Sequence, residues 1–504
     1  MNTPWLDSCR VPRSAVGLAL VVGIVSGYYA TLPLHHTDLW GHLAYGRLIA
    51  ATRQLPATEP FIRLSRDKPL VDTAWLSQIV GFEIQAMGGL PGLQALHGLS
   101  IGVCFLLLAW RGYSQTRSAA ATLMGLAVFE LLNWYQFQII RPQLGGLVCF
   151  VFILFVLTSD RWRTAQVVMT PATITLWANL HGSFIIGWVL LLSTAIGAGL
   201  DQFRRPSERS AMPDQAAFFR LLLTTVLAGL APLINPYGFR LYAEVLAISR
   251  HPNLRDLIEW QQLNLQTNQG RFFVAAALTL CATTILAQRP LRAREITPLA
   301  VFGLLSLWSA RLLIWWTPLA ALALMGNIQA IVLRFFPAAS VSSPGPRRLR
   351  WTMCAALVLV LGTGGANTLF RSRGIVQDEN ATALGAETPR GAAAWLVEHP
   401  PHGPIFNTYE WGDYLVWAGP PDLQVFVTSH AHLVPASVWR DYLTAAYART
   451  GWNQVFDRYG ITTIVVDRAE RGRLIRELER SPVWETRYED AQSVIFSRHE
   501  SPSP

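Results

Sequence analysis

Apolar runs long enough to cross about 30 Å of hydrocarbon recur through the first three quarters of this chain. Lipid offers no hydrogen bonds to an open backbone, so a series of such runs folds as a bundle of membrane-spanning helices. Over the 504 residues, 51% are hydrophobic, only 14% are charged and the mean hydropathy is +0.29, which excludes an ordinary soluble enzyme. The remainder of the chain is mixed and polar. The expected organisation is a polytopic transmembrane domain over 1–369, a linker over 370–387 and a soluble α/β domain over 388–504.

The net charge of +9 comes almost wholly from arginine, Lys68 being the single lysine. The arginines gather in short loops between apolar runs, a signature of topology and not of nucleic-acid binding. The first span is expected over 14–32, after Arg10 and Arg13, with the N-terminus cytoplasmic. Further spans are expected over 91–110, 118–134, 142–158, 166–178, 182–200, 217–234, 272–288, 296–311, 312–334 and 351–369. The loops with Arg111 and Arg117, Arg161 and Arg163, Arg204 and Arg205, Arg289 and Arg292, and Arg347 and Arg348 then all face the cytoplasm. A count of about eleven spans places the C-terminal domain outside the cell membrane. Cys9, Cys104, Cys149, Cys281 and Cys354 lie near the N-terminus or in apolar runs and form no metal-ligand or disulfide pattern.

Two long loops, 33–90 and 235–271, fall on the outer side and carry the polar and aromatic residues that the spans lack. The first loop holds two amphipathic stretches, 37–52 and 72–88, expected as interfacial helices. It opens with His35-His36-Thr37-Asp38-Leu39-Trp40-Gly41-His42, an acid among imidazoles at the mouth of the bundle. Asp38 is the leading candidate for catalysis, against a plain helix-capping role. His42 lies one turn along the same helix face, so that His42 and His36 are candidates for a divalent metal with Asp38. Glu59 and Asp72 could hold an acceptor or a metal, although a turn before Pro60 and a helix start at Asp72 explain them almost as well.

Arg141 and Arg311 sit at predicted outer helix ends, where a guanidinium can pair with a lipid phosphate or with a neighbouring carboxylate. His181, in a tight turn between two spans, is a further binding candidate, with a capped helix end as the alternative. Glu259 and Trp260 could hydrogen-bond and stack on a sugar, or anchor the interface. In the tail, Asp413 and Glu410 beside Tyr409 and Trp411 suit a sugar face, and His430 and His432 alternate at a strand end. The two histidines could bind a metal, but core or surface structure is the better account of both groups, since nothing else in the tail completes a site. The tail alternates helix 389–399, strand 404–407, helix 410–417, strand 423–427, helices 435–447 and 451–458, strand 461–466, helix 469–480 and a hairpin over 483–497.

Several strings, in order, resemble a family of bacterial integral membrane proteins related to the GT-C superfamily of glycosyltransferases. They are DLWGHLAYGRLI with LPATEPF downstream, IIRPQLGG, WANLHGSFIIG, LINPYGFRLY, IEWQ and, in the tail, FNTYEWGDYLVW. The resemblance implies a multi-span helical domain, a first outer loop with two interfacial helices, and a catalytic acid in that loop, which by position is Asp38. It implies a polyprenyl-phosphate-linked sugar donor and a glycan, lipid or protein acceptor. In that setting Asp38 would take the proton of an acceptor hydroxyl, and the site would be a pocket shared by this carboxylate and a guanidinium. Two positions depart from the family pattern: Ala74, where relatives carry an acid, and Thr428-Ser429-His430, where they carry Asp-Gly-Arg. These departures favour the rival reading of a non-catalytic scaffold that holds a glycan or lipid carrier. A transporter is the third reading, but no paired broken helices or inverted repeat support it.

Overall fold

The computed structural model describes residues 10–11, 13–35, 38–159, 164–203, 215–289, 291–336, 348–349 and 383–499. The chain forms two compact units. The first comprises 1–32, 90–241 and 258–377; the second comprises 33–89, 242–257 and 378–504. The second unit is therefore assembled from three separated stretches of sequence.

In the first unit every predicted span from 14–32 to 312–334 falls on a helix; the expected span over 351–369 lies outside the described residues. The helices are α1 (Arg13–Tyr29), the later part of α3 (Trp75–Thr116), α4 (Ala119–Phe137), α5 (Gln143–Thr158), α6 (Gln166–Leu180), α7 (Phe184–Phe203), α8 (Gln215–Leu230), α10 (Asn268–Ala287), α11 (Ala293–Trp308) and α12 (Leu313–Phe335). By length and hydropathy, Trp75–Thr116, Phe184–Gln202, Gln215–Leu233, Asn268–Ala287 and Ala310–Phe335 suffice to cross a membrane. Ser14–Tyr29 and Gln143–Thr158 are shorter apolar helices.

Large apolar side chains such as Ile24, Val168, Phe219 and Ile285 stay exposed, as lipid-facing positions do. Inside, Phe150, Trp177, Phe302 and Trp315 join α5, α6, α11 and α12 through ring contacts of 5.4–6.4 Å. Small residues bring helices close where no hydrophobic effect drives them together. A Cβ on Gly125 of α4 would run into Met325 and the Ala321 carbonyl of α12. Buried polar pairs add glue: Asn133 Nδ2 donates to Thr317 Oγ1 at 2.7 Å, and Asn327 Nδ2 to Thr284 Oγ1 at 2.8 Å.

The second unit holds α2 (Asp38–Thr52), the start of α3, most of α9 (Phe239–Ser249) and the tail. The stretches expected as two interfacial helices are both helical. Gly89, with φ of +60°, breaks α3 between the second stretch and the span that follows. The tail carries α13 (Arg390–Glu398), α14 (Gly412–Ala418), α15 (Ala436–Ala446), α16 (Trp452–Tyr459) and α17 (Gly472–Glu479), with a four-stranded sheet. Its strands are β1 (Ile405–Asn407), β2 (Thr463–Asp467), β3 (Trp484–Glu489) and β4 (Ser493–Arg498), in the order β1-β2-β4-β3. The β1–β2 pairing is parallel and the other two are antiparallel. Buried Ile464, Val465, Val466, Ile495 and Phe496 form its centre.

The expected strand over 423–427 does not join this sheet. Asn407 takes its backbone instead: Phe426 N donates to Asn407 Oδ1 at 2.9 Å, and Asn407 Nδ2 donates to the Val427 carbonyl at 2.9 Å. Val425 pairs with the first loop, accepting from Arg63 N and donating to the Phe61 carbonyl. Other ties bind loop and tail within this unit. Lys68 Nζ donates to the His432 carbonyl at 2.8 Å, and Asn253 Nδ2 to the Ala431 and Val434 carbonyls at 2.8 and 2.9 Å. Arg47 donates to the Trp417 and Val416 carbonyls, two of the last free acceptors of α14.

Candidate active site

Asp38 opens α2, the position where a carboxylate is favoured by the helix N-terminus. Its side chain is half-buried. Helix α2 continues through a largely buried face of Leu39, Trp40, Gly41, Leu43, Ala44, Tyr45 and Gly46, packed on α14 and on the start of α3. The glycines are what allow this. A Cβ on Gly41 would land on the Asp413 carboxylate, and one on Gly46 would land on the Gln78 carbonyl. Gly41→Ala is expected to destabilise the second unit by about 1–3 kcal/mol through overpacking; a thermal unfolding curve of the purified variant measures it.

Around α2 the sequence candidates fall into a connected polar cluster. His42 Nδ1 contacts Gln78 Nε2 at 3.3 Å, and the same amide donates to Asp72 Oδ1 at 2.9 Å. Asp72 Oδ1 also accepts from Ala74 N at 3.0 Å, which caps the start of α3. Burial pushes the Asp72 carboxyl up to about 6, against the hydrogen bonds from Ala74 and Gln78 and the nearby His430, which favour the anion. Glu59 is fully buried and accepts from Tyr45 Oη, from Phe61 N at 2.8 Å and from Ile62 N at 3.1 Å. Burial and the Glu59 carboxylate push the Tyr45 phenol well above its usual range. Glu59 thus fixes the turn around Pro60.

The raised Asp72 carboxyl gives a stability prediction with a definite sign. Its proton is held more tightly in the folded chain, so stability falls as pH rises from about 4 through about 6. Asp72→Asn keeps an acceptor for Ala74 N and Gln78 and removes the buried charge. It is expected to stabilise the protein by about 2 kcal/mol at pH 8 and by little at pH 4. Unfolding midpoints at the two pH values decide it.

Residues that the sequence left outside the leading candidates complete the cluster. Asp413, on the first turn of α14, is fully buried; its Oδ2 accepts from Ser429 N at 2.8 Å and its Oδ1 lies 3.7 Å from His430 Nδ1. Burial pushes the Asp413 carboxyl up, opposed by His430 and by the bond from Ser429. The His430 ring meets His42 at 5.0 Å, Tyr45 at 5.9 Å and His432 at 5.9 Å, all edge-on. Gly41, Tyr45, Phe61, Asp413, Val416, Thr428 and His430 line a narrow seam. The glycines of α2 were the available signal for this assembly, since glycine inside a helix marks close approach.

Among the described residues no group of three or more His, Cys, Asp or Glu is arranged to hold a metal ion. His42 is engaged by Gln78, and His36 lies outside the described residues.

The remaining candidates belong to the first unit. Arg141 lies in the turn between α4 and α5, Arg311 between α11 and α12, and Glu259 in a short turn before α10. Arg141 Nη1 donates to Glu259 Oε2 at 2.5 Å and Arg311 Nη1 donates to Glu259 Oε1. The carboxylate that balances both arginines is therefore supplied by the chain itself. Burial works to raise the Glu259 carboxyl, but Arg311 and then Arg141 outweigh it and hold it at about 2. Trp260 lies beneath Arg311, whose guanidinium carbon is 5.0 Å from the ring centroid. His181 lies at the turn between α6 and α7, where its Nδ1 accepts from Ser183 N at 3.1 Å and meets Ser183 Oγ at 2.7 Å. Two charges of one sign against one of the other leave this cluster a net positive site.

No protein-family model and no curated protein matches the chain. Among solved structures, the chain is similar to the Archaeoglobus fulgidus oligosaccharyltransferase tethered with an acceptor peptide containing the NVT sequon. The match covers 96% of this chain and 74% of that one, at 11% identity and a TM-score of 0.52. It is also similar to ArnT from Cupriavidus metallidurans bound to undecaprenyl phosphate, over 96% of this chain and 97% of that one, at 15% identity and a TM-score of 0.53. At such identities the likeness is one of fold: this is a multi-pass membrane protein with a GT-C-like fold and a small C-terminal α/β sheet.

Proposed function

We propose that the protein is a glycosyltransferase of the cytoplasmic membrane, with the N-terminus inside and the tail outside. It would move a sugar from a polyprenyl-phosphate-linked donor to a glycan, lipid or protein acceptor at the outer face. The observation that carries the reading is the GT-C-like fold over 96% of the chain, with an acid at the start of the first helix of the second unit. The two similar structures hold an acceptor peptide and an undecaprenyl phosphate, respectively.

In this reading Asp38 takes the proton of the acceptor hydroxyl as its oxygen attacks the anomeric carbon. The bond from that carbon to the phosphate oxygen breaks, and its electron pair leaves with the lipid phosphate. Such a leaving group needs no strongly activated nucleophile, so positioning and charge stabilisation supply most of the acceleration. Arg141 and Arg311 carry one positive charge beyond what Glu259 neutralises, which suits a donor phosphate.

A scaffold that binds a glycan or lipid carrier without turnover is the second reading. It is favoured by the narrowness of the seam and by the internal hydrogen bonds that occupy Glu59 and Asp72. Purified protein in lipid nanodiscs, given polyprenyl-phosphate-linked sugars, separates the two. Release or transfer of sugar supports the enzyme; saturable donor binding with no turnover over hours supports the scaffold.

A further inference from the structure

Arg141, Glu259 and Arg311 lie in three different connections of the first unit, and hydrogen bonds fasten those connections together. Ser309 Oγ donates to the Glu259 carbonyl at 3.4 Å, and Ala310 N donates to the Gln261 carbonyl at 3.0 Å. Gln136 Nε2 of α4 donates to the Ala310 carbonyl at 3.4 Å. Trp260, next in the chain, packs on the Arg311 guanidinium. The Glu259 carboxylate is therefore held by its own turn as well as by the two arginines.

Each of its oxygens takes a different arginine, Oε2 with Arg141 Nη1 and Oε1 with Arg311 Nη1. A bidentate pair would spend two nitrogens of one arginine on the acid. Here each guanidinium gives Glu259 one nitrogen, out of five N–H donors on the group. The Arg141 and Arg311 side chains stay partly open, 27% and 20% exposed.

Charge then sets what the three groups accept together. Two guanidiniums and one carboxylate sum to one positive charge. A phosphodiester between lipid and sugar brings one negative charge and balances it. A diphosphate link brings two, and leaves one anionic charge in surplus beside a carboxylate that cannot move away.

We propose that Glu259 is a specificity-determining residue, which turns the arginine pair toward donors linked through a single phosphate and against donors linked through a diphosphate. The inference deepens the reading of Arg141 and Arg311 as the donor-phosphate site and rests on it.

Equilibrium binding to the full-length protein in nanodiscs tests this with two sugar-free probes. A polyprenyl methyl phosphate carries one negative charge, and a polyprenyl methyl diphosphate carries two. The wild type should bind the monophosphate the tighter of the two. Glu259→Gln should tighten the monophosphate about threefold and the diphosphate about tenfold more, removing the preference. Glu259→Asp keeps the charge and should keep the preference, which separates charge from packing. Four results would overturn the assignment: a wild type that favours the diphosphate, an equal shift for both probes in Glu259→Gln, the same loss of preference in Glu259→Asp, or binding of neither probe. If Glu259→Gln does not fold, the wild-type ratio still decides. Sugar transfer is read separately. Turnover with a ratio that Glu259→Gln leaves unmoved keeps the glycosyltransferase reading and sinks this inference; the expected ratios without turnover do the reverse.

Discussion

Asp38→Asn is expected to cut sugar transfer by about 10²–10⁴-fold with no loss of folding, the range that removal of a general base commonly produces. The choice of asparagine makes the result informative. Asp38 heads α2, and asparagine is as good an N-terminal cap as aspartate. A residue that serves only as a cap would tolerate the exchange. A residue that takes a proton would not, because the amide has no lone pair of suitable basicity. Initial rates with saturating donor and acceptor, beside an unfolding curve, give the answer. Unchanged kcat with an unchanged midpoint would sink Asp38 as the base and leave the scaffold as the better account.

Glu259→Gln is expected to destabilise the first unit by about 1–3 kcal/mol at pH 7, a figure kept below that of a fully buried pair because the three side chains are 20–35% exposed. The charge is lost while Arg141 and Arg311 remain facing one another, with an amide that can answer only in part. The pH dependence has a fixed sign. Glu259 is held at about 2, below its unfolded value of 4.5, so its contribution is present above about 4.5 and disappears as pH falls toward about 2. Wild type should therefore lose stability over that window by more than the glutamine variant does. Unfolding midpoints at pH 7 and pH 3 check this; parallel losses in both proteins would remove the clamp from the account. The same variant also probes the donor site, since freeing both guanidiniums should tighten binding of a lipid phosphate.

The parts of the molecule that repeat along the sequence were the legible ones. Apolar runs mark the long helices of the first unit because lipid leaves the backbone no alternative to helix. The tail's buried strand Thr463–Asp467 announces itself by a run of β-branched residues. The stretch 423–427 has the same look, yet its partners are an asparagine side chain and a loop more than three hundred residues earlier. Nothing local to the stretch records those partners. The site divides in the same way. Asp38, His42 and Asp72 stood out as polar residues in an apolar chain. Gln78, Tyr45, Asp413 and His430 join them through side-chain contacts between distant segments, which spacing does not encode. Arg141, Arg311 and Glu259 were each visible, but that one acid answers both arginines follows only from three loops meeting.

Lys68 carries a practical consequence. Its ammonium is half-buried, and its proton is held less firmly than usual because burial outweighs Glu244 and Glu59. No other side chain in the chain is a primary amine. Acylating reagents thus have one internal target, and its protection reports directly on whether the segment bearing it stays docked on residues 432–433. Any treatment that frees that segment will write itself into a single tryptic-scale mass shift, a conformational gauge already installed by the chain's near-exclusive use of arginine.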